Sequence, residues 1–276
     1  MRSDRVHSIF AAFVTTGLTL LLALPFVWML LTALKTPSET VALPMAWLPE
    51  TPQWQNFTKA WSAAPFGRFY INSFIVASLG TVFQLVGAAL MAYAFAWVRF
   101  PGRRVFLFCV IATLMIQEEM RLIPNYLFVA HSGGIDTYWG LILPQLANAF
   151  PVFVFYQHFR TLPTSLLESA EIDGAGHFRI LVQIISPMSR PVFAAVAVVA
   201  FVGRWNEYLW PLVITNSANM RTLPVGLGYL KESSEGSIEW NLLMSATIFV
   251  IIPVLMLYLL AQRQFVEGMT RGALKG

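Results

Sequence analysis

The chain has 276 residues, of which 57% are hydrophobic and only 12% charged, with a mean hydropathy of +0.64. A soluble domain carries about twice that charge, so the composition excludes a pair of soluble domains and indicates an all-α, polytopic membrane protein. The lone Cys109 excludes a disulfide framework and a cysteine-rich metal site. The pI near 9.4 does not call for a nucleic acid, because the basic residues cluster at the ends of apolar spans, as membrane topology requires.

A spanning helix needs about 20 apolar residues. Arg2 and Arg5 precede an apolar run over 8–34. It is too long for a signal-peptide core and lacks an A-x-A cleavage site, so it predicts a retained first helix. Residues 35–68 are rich in Pro and Trp and should lie along the interface with their rings at headgroup level. A second span is predicted over 69–98, then a tight turn at 99–104. The run 105–130 is interrupted by Glu118, Glu119 and Arg121 just before Pro124, where the helix should weaken or end. A further span covers 137–159, with Gln145, Asn148 and His158 as its polar members. Residues 191–214 form another, interrupted by Arg204, Asn206 and Glu207. A polar, flexible loop over 215–239 leads to the last span, 240–262. There is no internal repeat. Six spans place both termini on one side.

Lys and Arg assign that side. Arg2, Arg5, Arg99, Arg103, Arg104, Arg160, Arg179, Arg190, Arg263, Arg271 and Lys275 fall on one face of the membrane; Lys35, Lys59, Arg68, Arg121, Arg221 and Lys231 fall on the other. The excess places the first set, both termini and the loop 161–190 in the cytoplasm.

That loop is polar in a chain that is otherwise apolar. Ser165 and Glu168 stand at capping-box spacing, predicting a helix start. Leu167, Ala170, Glu171 and Gly174 then share a face, whose small residues would permit close approach of another protein. Gly174 can end the helix with positive φ. A second short helix over 177–185 would lead to Pro187, and Pro187 and Pro191 would open the next span. The plainer alternative is an amphipathic interfacial helix.

Ionisable groups inside a span are costly and usually face a cavity or a partner. Arg204 and Glu207, three apart on one helix, either pair with each other or line a path together with Asn206. Glu118, Glu119 and Arg121 form either an outer-interface cluster or part of a gate. Asn72, Gln84, Gln145 and Asn148 more often bond a neighbouring helix than a solute, and Trp205 and Trp210 read as packing or interface anchors. The chain has no G-x-x-x-x-G-K-[ST] phosphate loop and no metal-ligand spacing. Its four histidines are scattered, and it does not read as an enzyme.

The stretch Glu168-Ser169-Ala170-Glu171-Ile172-Asp173-Gly174-Ala175, followed by Ile184 and Pro187, resembles the E-A-A-x-x-D-G-A … I-x-L-P loop of bacterial ABC-importer permeases. Ser169 replaces an alanine, and Ser186 replaces the leucine before the proline. The turn Arg99-Phe100-Pro101-Gly102, the segment Trp205-Asn206-Glu207-Tyr208-Leu209-Trp210-Pro211 and the end of the chain from Gln262 resemble the maltose-type carbohydrate branch. Glu119-Met120-Arg121 and the segment from Glu235 to Asn241 lean toward its sn-glycerol-3-phosphate subfamily.

The resemblance implies a six-span permease of the type I importer fold in a bacterial inner membrane. It implies three parts: an N-terminal helix and extracytoplasmic loop (1–68), a core (69–263) carrying the coupling loop 161–190, and a cytoplasmic tail (264–276). Glu168, Ser169, Ala170, Asp173, Gly174, Ala175, Ile184 and Pro187 would couple to an ABC ATPase, whose subunits hold the ATP and Mg; no cofactor is expected in this chain. Glu119, Arg121, Arg204, Asn206 and Glu207 are the candidate translocation path. Expected partners are a companion permease, the ATPase subunits, an extracytoplasmic solute-binding protein near 215–239, and the lipid bilayer. The solute would be sn-glycerol 3-phosphate, a glycerophosphodiester or a neutral di- or oligosaccharide. A stand-alone secondary transporter, which should show inverted repeats, and a membrane scaffold are the competing classes.

Overall fold

The computed structural model describes residues 2–44, 46–232 and 238–273, with side-chain environments for 11–44, 46–230, 238–260 and 262. Among the described residues every regular element is helical. With no water in a bilayer core, helices satisfy their own backbone polar groups. In chain order they are α1 (Arg2–Ala33), α2 (Pro37–Val41), α3 (Gln55–Ser62), α4 (Phe66–Trp97), α5 (Arg103–Ala112), α6 (Glu118–His131), α7 (Tyr138–Ile142), α8 (Ala149–Phe159), α9 (Thr164–Ile172), α10 (His177–Ile180), α11 (Ser186–Met188), α12 (Arg190–Trp205), α13 (Leu209–Ile214), α14 (Leu223–Glu232) and α15 (Trp240–Ala273).

Three stretches are long and apolar enough to cross a bilayer: Ala11–Ala33, Phe66–Trp97 and Trp240–Leu260. Two more qualify as bent pairs. Tyr138–Gln145 meets Ala149–Phe159 at 49°, and His177–Met188 meets Arg190–Trp205 at 85°. The expected sixth span, 105–130, is broken: α5 ends in a 3-10 turn, and Ile116 and Gln117 are extended before α6 begins. Pro124, expected to end a helix, instead sits inside α6, which continues seven residues beyond it to His131 and buries Val129. The expected span 191–214 also breaks, after Trp205, and resumes as α13.

The chain divides into two units, 1–66 with 227–252, and 67–226 with 253–276. The sequence placed its first boundary two residues later and assigned 227–252 to the core. In the first unit the loop after α1 is tied down by polar groups. Asn56 donates to the carbonyls of Ala33 and Lys35 at 2.9 and 2.8 Å, and Ser245 donates to Ala33 at 3.3 Å. Phe57, Trp61 and Phe66 pack edge-on around Phe249. Lys35 is buried, donates to the carbonyl of Ala46 and lies 4.5 Å above the Trp28 ring. Trp47 and Trp54 stay exposed, as interface anchors would.

In the second unit small residues of α4, among them Ala88, Ala89 and Ala92, let the stacked rings of Phe155 and Phe159 approach closely. Asn72 donates to the carbonyls of Asn219 and Arg221 and accepts from the Tyr138 hydroxyl. Asp136 accepts from the amides of Asn216 and Ser217. The loop expected to be flexible is therefore pinned over 216–222, because its backbone groups find fixed partners, and it continues into α14. Residues 233–237, with the Glu235-Gly236-Ser237 signal, and the terminal 274–276 lie outside the described residues.

Thr36 caps α2 in a reciprocal capping box with Glu39. The Glu39 carboxylate accepts from the amides of Thr36 and Glu50 at 2.7 and 2.8 Å. These bonds, Thr36 first, hold its pKa below the usual carboxylate range. A depressed folded-state pKa means that the contribution is complete above the ordinary value and is lost as pH falls through the folded one. The protection factor of the Glu50 amide, taken against the intrinsic exchange rate at each pH, should therefore be high at neutral pH and fall in acid as Glu39 protonates, and Glu39→Gln should abolish that fall.

Candidate functional site

Three helical interruptions meet around one cleft. The chain leaves regular helix at the extended Ile116–Gln117 pair, over 146–148 and over 206–208. At membrane depth such irregular backbone is tolerated where it lines a cavity or is buried in protein. The cleft has a volume of about 280 Å³ and is lined by Glu118, Glu119, Arg121, Asn125, Asn206 and Glu207, together with Gln145 and Asn148. Four of the five candidate path residues thus converge here, and the fifth, Arg204, lines the adjoining cleft that shares Glu118, Gln145 and Glu207. Glu118 and Glu119 occupy the first turn of α6, where acids are favoured by the helix dipole. Arg121 lies 3.8 Å from Glu118.

The Arg204–Glu207 pair considered from the sequence does not form. Arg204 is only 8% exposed. Its Nε and Nη2 donate to Gln84 Oε1 at 3.2 and 3.0 Å, Nη1 donates to Gln145 Oε1 at 3.0 Å, and Nη2 donates to the Gln145 carbonyl at 2.8 Å. Glu207 instead accepts from the Trp210 amide at the start of α13. Gln84 and Gln145, expected to bond neighbouring helices, do so by clamping this guanidinium. Gly80, one turn before Gln84, was missed: a Cβ there would sit 2.8 Å from Arg204 Nη1 and 3.0 Å from Cζ. No local sequence signal marks it, because the group it makes room for belongs to a different helix. Trp205 and Trp210 are buried, Trp205 against Tyr70 and Phe201, and Trp210 donating to the Gly140 carbonyl.

The second polar site is an elbow formed by α9 to α11. Its capping box is absent: Pro163 is the cap and makes no side-chain bond, because the helix begins one residue before the expected cap Ser165. Its end does follow expectation. Gly174 has φ +75, the Ala175 amide bonds the Ala170 carbonyl and the Gly174 amide bonds the Glu171 carbonyl, the paired bonds of a Schellman stop. The shared face splits. Leu167 and Ala170 are buried in the chain's own core with Ile180, Leu181 and Ile185, so Ala170 is not presented to another protein. Ala175 and Ile184 pack against the same core. Glu168, Ser169, Glu171, Asp173 and Gly174 face outward, beside Ile172 and Phe178 at 87% and 72% exposed. A π turn, Leu181–Ile185, joins α10 to α11. Pro187 lies within α11 rather than opening the next span; Pro191 alone does that, in the first turn of α12 after the bend at Ser189. Tyr93 of α4 bonds His177 at 3.1 Å.

Residues 90–271 match the model of the binding-protein-dependent transport system inner membrane component. The chain belongs to that family. The permease is 40% identical over 238 residues to the sn-glycerol-3-phosphate transport system permease protein UgpE of Yersinia enterocolitica serotype O:8 / biotype 1B, covering 84% of this chain and 85% of that one. It is 37% identical to the UgpE of Escherichia coli O1:K1 / APEC over 84% of each chain. Its fold matches, at a TM-score of 0.84 and 23% identity, a chain in the crystal structure of a bacterial ABC transporter that imports the acidic polysaccharide alginate, covering 95% of this chain and 98% of that one. The permease is thus a multi-pass inner-membrane subunit of an ABC importer with the type I fold.

Gly80→Ala should drive a methyl into a guanidinium that four hydrogen bonds hold in place. It should destabilise the permease by about 1–3 kcal/mol. Gly87→Ala, whose added methyl meets nothing within 4 Å, should leave stability equal or slightly raised. Thermal unfolding of the purified complex compares the two.

Proposed function

We propose that the permease forms half of the pathway of an ATP-driven importer of sn-glycerol 3-phosphate or a related glycerophosphodiester. The observation that supports this is 40% identity to UgpE over most of both chains. A neutral di- or oligosaccharide is the second reading, favoured by the uncharged amides around the cleft. The family match leaves the secondary-transporter and scaffold classes without support.

In this reading both termini and the elbow are cytoplasmic, in keeping with the distribution of Lys and Arg. Glu168, Ser169, Asp173 and Gly174 face a partner ATPase subunit, with Ile172 and Phe178 as apolar contacts. Ala170, Ala175, Ile184 and Pro187 support them from behind. Closure of the ATPase pair around ATP and Mg pushes the elbow as a rigid body, and its packing against α4 and α8 carries the push into the spans. The companion permease supplies the other half of the path. A solute-binding protein delivers solute from outside, against the pinned loop 216–222. Glu119, Arg121, Asn206 and Glu207 line the path, and Arg204 holds its walls.

The test of the solute is ATP hydrolysis by the complex purified through a tag on this chain, with its binding protein added. Stimulation by sn-glycerol 3-phosphate or glycerophosphodiesters is expected, and stimulation by neutral oligosaccharides alone would favour the second reading. The test of coupling is Gly174→Leu. A Cβ added at the exposed Gly174 meets nothing of this chain within 4 Å, while positive φ strains the stop by about 1–2 kcal/mol. The variant should insert into the membrane but lose at least tenfold of solute uptake per ATP hydrolysed; unchanged uptake would rule out docking at this elbow.

A further inference from the structure

Resting on the solute reading above, we propose that the cleft of this subunit receives the hydroxyl-bearing part of the solute, and that the solute's phosphate is held away from this chain. The charges around the cleft decide it. Glu118, Glu119 and Glu207 line it, against one lining cation, Arg121. Arg204, which from sequence could suit an anion, is unavailable: it is buried, and four hydrogen bonds direct its guanidinium to Gln84 and Gln145. Arg121 is itself partly engaged, 3.8 Å from Glu118 and donating to the Ala147 carbonyl at 3.5 Å. A phosphate dianion entering here would meet three carboxylates and one guanidinium that is itself partly engaged.

Hydroxyl groups fit the same lining. An ionised carboxylate offers only acceptors, which suit O–H donors. The side-chain amides of Asn125 and Asn206 both donate and accept, and neither side chain, nor the Glu119 carboxylate, has a hydrogen-bond partner among the described residues. The Glu207 carboxylate spends one oxygen on the Trp210 amide, leaving the other for the cleft. A vicinal diol bridging an acid and an amide would satisfy both, while a phosphate would satisfy only the amides.

The sign of a neutralising substitution separates the two placements. The complete complex, with companion permease, ATPase subunits rendered hydrolysis-deficient, and binding protein, would be arrested with ATP and titrated with labelled sn-glycerol 3-phosphate. Glu119→Gln and Glu207→Gln are close in shape to the native side chains, and Glu119 makes no internal bond that could be lost. Each should raise the Kd roughly tenfold, as expected for loss of a charge-assisted hydrogen bond. A lower Kd in both, accompanied by a large rise in Arg121→Gln, would place the phosphate in this cleft and overturn the proposal. An unchanged Kd in both would also overturn it, by showing that the solute does not touch these carboxylates. If the unaltered complex binds no sn-glycerol 3-phosphate, the solute reading fails first and the proposal falls with it. Co-purification of the ATPase with each variant verifies assembly.

Discussion

A guanidinium inside a spanning bundle needs acceptors from the protein, because the bilayer offers none. Arg204 finds them on two other segments: the Gln84 side chain on α4, and both the side chain and the carbonyl of Gln145 in the 3-10 turn between α7 and α8. This one side chain ties together α4, α12 and the break between α7 and α8. The clamp also uses the backbone irregularity it helps to hold, since the Gln145 carbonyl lies where helical bonding fails. Gly80 leaves room for it. Removing one partner from such an arrangement leaves buried charge or buried acceptors unpaired, which costs more than the bonds contribute.

Around that clamp, the interruptions at 116–117, 146–148 and 206–208 turn would-be straight spans into the walls of a polar cleft. Continuous helices would have closed the space with apolar side chains. The acids stand where helices begin or break, so the features that disturb the spans also supply the polar lining. Because the buried Arg204 guanidinium spends four of its N–H groups on holding the walls, the carboxylates of Glu118, Glu119 and Glu207 face the cleft without it.

The elbow works by a division of faces. Leu167 and Ala170, with Ile180, Leu181 and Ile185, sink into the core that holds Phe155 and Phe159 of α8 and the alanines of α4. The Schellman stop at Gly174 turns the chain sharply enough for both short helices to reach that core. Their polar and apolar outer residues are then presented on a support with little freedom to yield. In the proposed coupling, a displacement of the elbow would be transmitted because close-packed interiors do not absorb strain.

Much of this was written in the sequence. The run of apolar segments, the stop at Gly174, the placement of Glu119, Arg121, Asn206 and Glu207 on one polar site and the packing role of Trp205 and Trp210 follow from local chemistry: hydrophobic length, the tolerance of glycine for positive φ, and the cost of charge in a bilayer. What the sequence misjudged were matters of partnership. It offered Glu207 to Arg204 because the two are three residues apart on one helix, whereas Gln84 and Gln145, 120 and 59 residues away, supply the bonds. It started α9 with a capping box that the chain does not use. It turned Ala170 outward, and it left the loop 216–222 free although Asp136 and Asn72 hold it. Spacing reports which groups lie on one face of one helix, while burial and hydrogen bonding depend on which helices meet, and that was decided only by the tertiary structure.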